Sequence, residues 1–131
     1  MIFKGVAVTG RGRARTLGFS TINLKVLGAV AIPDGVYGVK ATIHSHDFLA
    51  AMHAGASPTF DDTERTVELH LIGIQESDIT TYHLDALDAV EIEVEILNYL
   101  RTIMKFNSRE ELVRQIKMDV QNILQFNANP I

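Results

Sequence analysis

Strict alternation of apolar and polar residues is the feature that most limits what this chain can become. In Arg65 to Ile72, Val67, Leu69 and Leu71 occupy one parity, while Glu68 and His70 occupy the other. Val90 to Leu97 repeats the pattern, with Val90, Ile92, Val94 and Ile96 against Glu91, Glu93 and Glu95. A period of two is the signature of a strand with one face in a core and the other toward solvent. Ile2 to Val8 is short, apolar and β-branched, and Gly35 to Ile43 follows the turn signal Pro33-Asp34, so both read as further strands. Phe48 to His53 suits a strand or a helix, because Ala and Met fit either. Several short strands without a βαβ rhythm point to an antiparallel barrel or sandwich.

The end of the chain changes period. Ser108-Arg-Glu-Glu111 is a capping box, in which the hydroxyl and the carboxylate satisfy amide donors freed at a helix start. Leu112, Val113, Ile116, Val120, Ile123 and Leu124 then recur at helical spacing. The spacing predicts a helix that ends near Phe126 and lies across the barrel. With 131 residues, the expectation is one domain over residues 1–131. Its 12 basic and 16 acidic residues leave a net charge of −4, which gives no general attraction to nucleic acid or to anionic membrane. Neither partner is expected, and no apolar run approaches the roughly 20 residues needed to span a bilayer. Cysteine is absent, which excludes disulfides, thiolate zinc sites and a cysteine nucleophile. The expected setting is the cytoplasm, and the expected state a monomer.

Chemistry concentrates in a few segments. Gly10-Arg-Gly-Arg-Ala-Arg-Thr-Leu-Gly18 combines permissive glycines with Arg11, Arg13 and Arg15 in a net-acidic chain. Consecutive amides in such a loop can form an anion-binding nest; a flexible basic turn is the alternative. It is not a P-loop, since GxxxxGK[ST] is missing. Thr21 and Asn23 lie two apart, so on an extended segment both side chains point the same way. Their oxygens are hard ligands suited to Mg²⁺, although T-x-N by itself is common and a hydrogen-bonded strand start is its default explanation. Glu68 faces away from the expected core and could accept a proton from a hydroxyl, or simply meet water. Pro58-Thr-Phe60 reads as a turn presenting an aromatic. The five histidines lack any HExxH-type spacing, and Glu91, Glu93 and Glu95 read as a solvated face.

In order and spacing these segments resemble the ATP-dependent riboflavin kinase family. Gly5 to Leu24 is similar to its G-x-V-x-x-G-x-G-R-G-R-x-L-G-F-P-T-A-N-L. Pro33 to Val39 matches P-x-G-V-Y-x-V, Pro58 to Phe60 matches P-T-F, and Val67 to Leu71 matches V-E-x-H-L. Leu100-Arg101, Lys105-Phe106 and the Ser108 helix resemble L-R-x-x-x-K-F-x-S-x-x-x-L. The resemblance implies a mainly β fold, a six-stranded antiparallel Greek-key barrel with the C-terminal helix packed outside. It implies a kinase that makes FMN from riboflavin and ATP, with Mg²⁺. Gly10, Gly12, Arg13, Arg15 and Gly18 would cover the phosphates, Thr21 and Asn23 would hold the metal, and Glu68 would be the general base. Phe60, Arg101 and Phe106 would border the flavin. The chain departs from the pattern at Ala14, Ser20, His53, Ser57 and Ile103, and Gln75 to Ala89 is longer than the family's connection.

Overall fold

The computed structural model describes residues 1–8, 21–56 and 65–128. Six strands form: β1 (Ile2–Val8), β2 (Thr21–Val26), β3 (Gly35–Ile43), β4 (His46–Gly55), β5 (Thr66–Leu71) and β6 (Glu91–Arg101). They close into an antiparallel barrel in the order β1-β2-β5-β4-β3-β6. β3, β4 and β5 are successive antiparallel neighbours, and β6 returns beside β3, which is the Greek-key arrangement. Closure removes every sheet edge, so a barrel this small needs no second sheet to cover one. Phe3, Leu24, Val39, Met52, Leu69, Ile92 and Val94 fill the interior.

Alternation is visible where the outer face is wet and lost where it is covered. On β5, Val67 and Leu69 are buried while Glu68 and His70 are half-buried on the opposite face. On β6 the outer glutamates meet lysines of neighbouring strands, Lys4 with Glu91 at 3.5 Å and Lys40 with Glu95 at 3.8 Å. Such exposed pairs contribute about 0–1 kcal/mol, as expected for a solvated face. β3 is buried on both faces over Gly35–Val39, so no polar parity marks it. β4, ambiguous by composition, is a strand whose outer residue Ala51 is as buried as its inner residues Ala50, Met52 and Ala54.

Two helices follow. α1 (Glu76–Thr81) lies inside the long Gln75–Ala89 connection and leaves no signal in the sequence, because six residues without a buried side chain carry no amphipathic stripe. α2 (Arg109–Ala128) begins where the capping box predicts it. Ser108 Oγ accepts from the Glu111 amide at 3.2 Å, and Glu111 Oε2 accepts from the Asn107 amide at 3.0 Å. The helix runs two residues beyond the expected Phe126. Ile116 and Ile123 are buried, but Leu124 is 45% exposed, which corrects its place in the apolar stripe. The position it does not take is filled by an acid, Asp119, 4% exposed. Ile123 packs over Gly38, where an added Cβ would stand 3.2 Å from its Cγ1.

Candidate active site

Outer-face residues of β2, β5 and β4 fall into register. Asn23 pairs with Glu68, and Glu68 pairs with His53 on its other side; Thr21 pairs with His70, and His70 with Ala51. Directly opposed residues stand about 4.5–5.5 Å apart and share a face. Leu24 turns into the core, as does Ile22 beside it, so Thr21 and Asn23 project outward together. This pairing puts the oxygen pair and the carboxylate on one surface. Thr21 Oγ1 is buried without a hydrogen-bond partner among the described residues. A hard oxygen left in that state fits a cation that also binds phosphate and water, and Asn23 supplies a second donor of the same kind. Among the described residues no three His, Cys, Asp or Glu groups gather as a metal site.

The row continues toward α2. His53 pairs with Val36, and Val36 with Arg101 at the end of β6. Two register shifts in β6, between Val36 and Tyr37 and between Gly38 and Val39, are β-bulges. They turn Asn98 outward beside Gly38 under α2, and Tyr99 onto the face of Tyr37, its ring 5.4 Å away in an edge contact. The second bulge then returns Arg101 to the outer face. Arg101 is held on three sides. Its Nε and Nη2 donate to Asp119 at 3.0 and 2.8 Å, and its Nη1 donates to the Thr102 carbonyl at 3.0 Å. Its guanidinium carbon lies 5.9 Å from the Phe106 ring centre, within cation–π range. Gln115 Nε2 also donates to Asp119, at 3.0 Å.

Burial pushes the His53 imidazole below the ordinary histidine value, and the positive charge of Arg101 pushes it further; Asp34 offsets part of this. Asp34 itself accepts from Arg65 Nε at 2.8 Å, and Arg65 also donates to the Ile32 carbonyl. At the end of β4, Gly55 has φ +133°, and a Cβ there would stand 2.4 Å from Ile103 Cδ1. Only glycine lets β4 pass so close to the segment after Arg101. On the other flank of the site, a cleft of about 60 Å³ opens beside Thr21, walled by Leu71, Ile79 and Leu84.

Of the expected site residues, Thr21, Asn23 and Glu68 are brought together. Arg101 lies at the far end of the row, four strands from Asn23 when counted through β5, β4 and β3, with Phe106 within cation–π range of it. Gly10, Gly12, Arg13, Arg15, Gly18 and Phe60 lie outside the described residues. Sequence reasoning passed over Asp119, although its position three residues after Ile116 and four before Ile123 puts an acid on the apolar stripe. It also left His53 among the scattered histidines. Of those, His44 and His83 do meet, with rings 6.4 Å apart, where the β3–β4 turn reaches the end of α1.

An antiparallel Greek-key barrel with hard oxygens and a carboxylate on one outer rung is the class these observations define. A sequence model described as riboflavin kinase matches residues 1–127. An RNA-binding riboflavin kinase of Bacillus subtilis is 35% identical over 122 residues, covering 91% of this chain and 48% of the relative. A bifunctional riboflavin kinase/FMN adenylyltransferase of the same organism is 28% identical, covering 96% and 38%. The crystal structure of riboflavin kinase from Trypanosoma brucei superposes with a TM-score of 0.60 at 18% identity, covering 98% of this chain and 80% of that one. This chain belongs to the riboflavin kinase family. It spans about half, or less, of the length of the curated relatives it matches.

Proposed function

We propose that this domain transfers the γ-phosphate of ATP to the 5′-hydroxyl of riboflavin, giving FMN and ADP. The observation that carries the reading is the rung Asn23–Glu68, with Thr21 beside it bearing a buried hydroxyl that has no partner among the described residues. Thr21 and Asn23 would hold Mg²⁺ through their side-chain oxygens. When bound, the ion neutralises phosphate charge and fixes the phosphates against the acceptor. Glu68 lies one strand from Asn23, so a hydroxyl bound over this rung can reach both the carboxylate and the phosphate. The ribityl 5′-oxygen forms a bond to the γ-phosphorus as the bond from that phosphorus to the β–γ bridging oxygen breaks. ADP leaves with the electron pair, and the hydroxyl proton passes to the Glu68 carboxylate. Phosphoryl transfer rests mainly on positioning and charge stabilisation, which suits a site where hard oxygens and a carboxylate share one face.

Gly10, Gly12, Arg13, Arg15 and Gly18 would bind the phosphates through loop amides and guanidinium groups. Phe60, Arg101 and Phe106 would border the flavin. The Asp119 contact supports a scaffolding part for Arg101, since its donors are engaged within the protein. We read residues 1–131 as one domain that works as a monomer in the cytoplasm, without a nucleic-acid or membrane partner; no described helix is long and apolar enough to cross a bilayer.

The test is direct. Purified protein with riboflavin, ATP and Mg²⁺ should yield FMN on chromatography, and omission of any one should abolish it. Flavin binding without FMN formation would leave a non-catalytic barrel of the same fold as the better reading.

A further inference from the structure

We infer that His53 is a substrate-positioning residue that hydrogen-bonds an inner hydroxyl of the ribityl chain, between the reacting end and the flavin ring. The inference rests on the riboflavin reading above and adds a residue to it. Three observations support it. First, His53 is in register between Glu68 and, through Val36, Arg101, so it stands on the path from one end of the row to the other. Neighbouring strands are about 4.8 Å apart, so a group one strand beyond Glu68 meets the polyol and not the transferred phosphate.

Second, Nδ1 of His53 is buried and, its own backbone aside, has no hydrogen-bond partner among the described residues. An unsatisfied buried polar atom destabilises the protein, and a ligand hydroxyl would recover that loss. The Asn98 Oδ1 atom is also buried without a partner among the described residues, but it lies beside Gly38 near Ile123 of α2, off the row that links Glu68 to Arg101. Third, the groups facing the imidazole are Glu68 from β5, Arg101 from β6 and Asp34 before β3. Burial and Arg101 keep the imidazole neutral, so it offers one donor and one acceptor. An alcohol is its natural complement, because a hydroxyl both donates and accepts and therefore suits either tautomer.

The experiment compares riboflavin with lumiflavin, which has the ring but no polyol. His53→Leu fills the site without a polar atom, and His53→Ala serves if the leucine does not fit; His53→Gln restores polar atoms. One neutral hydrogen bond corresponds to about a two- to tenfold change in affinity. His53→Leu should raise the riboflavin KM by that factor, with the larger share of the loss in kcat/KM falling in KM. His53→Gln should recover most of it, and lumiflavin affinity, followed by fluorescence, should not move. An unchanged riboflavin KM overturns the inference. So does a parallel loss of lumiflavin affinity, which would mean a general loosening of the ring site, and so does a collapse of kcat at constant KM. Failure of the kinase reading shows itself separately, as absence of FMN from the unaltered protein.

Discussion

Replacing Asp119 by leucine removes the acceptor that holds Arg101 and leaves a guanidinium charge in a place where little water reaches it. The Arg101 side chain is 19% exposed and the Asp119 side chain 5%, and two contacts join them at 2.8 and 3.0 Å. Breaking a buried pair from one side costs about 3–5 kcal/mol, mostly as the penalty on the stranded charge. For a chain of 131 residues that corresponds to a fall in Tm of roughly 10–20 °C. The pair also ties the end of β6 to the middle of α2, so the loss should be seen as one cooperative shift of the melting curve. The double variant Arg101→Leu with Asp119→Leu separates the causes. With both charges gone the stranded-charge penalty disappears, and two leucines fill similar space, so the double variant should recover more than half of the lost stability. Thermal melts by circular dichroism and urea midpoints measure both. A double variant as unstable as Asp119→Leu alone, or a single variant within 1 kcal/mol of the parent, would refute the reasoning.

Glu68→Gln keeps size and hydrogen bonding but cannot take the proton. Turnover should fall about 10²- to 10⁴-fold while riboflavin still binds, and FMN formation at the parent rate would remove Glu68 from the mechanism. His70, on the same face, is the competing base; loss of turnover in His70→Ala with Glu68→Gln active would reassign the role. Asn23→Ala should weaken binding of MgADP far more than binding of riboflavin without metal; equal nucleotide affinity in both proteins by calorimetry counts against its role. His53 predicts a pH effect on stability. Its folded value is lowered, so below pH ~6.5 the unfolded chain takes up a proton that the folded one refuses, and stability falls with pH. His53→Gln should lose less urea stability than the parent between pH 7.5 and 5.5; identical losses would mean that the imidazole is not desolvated.

The period-two runs at β5 and β6 were legible because each strand has one dry and one wet face, and period reports that contrast. β4 was ambiguous for the converse reason: its outer residue Ala51, paired with the Gly38 over which Ile123 of α2 packs, is buried, so both parities are apolar. α2 itself was readable from its cap and stripe, whereas α1 buries nothing that could leave a pattern. Thr21, Asn23 and Glu68 could be named as a hard-oxygen pair and an outward carboxylate, because strand parity is a local property. That they lie on adjacent strands could not be read, since β2 and β5 pair across more than 40 residues through barrel closure. The same holds for His53, which was one histidine among five until register set it beside Glu68. Arg101 reaches its position through two bulges, and it meets Asp119 only because α2 folds back over the barrel. The sequence alone determined which faces are dry, where the last helix begins and which side chains can carry chemistry, because those depend on neighbours a few residues away. Which of them share a rung, and which buried atoms are left for a ligand, was decided by the tertiary structure, because hydrogen-bond register between distant strands brings together groups that no local pattern relates.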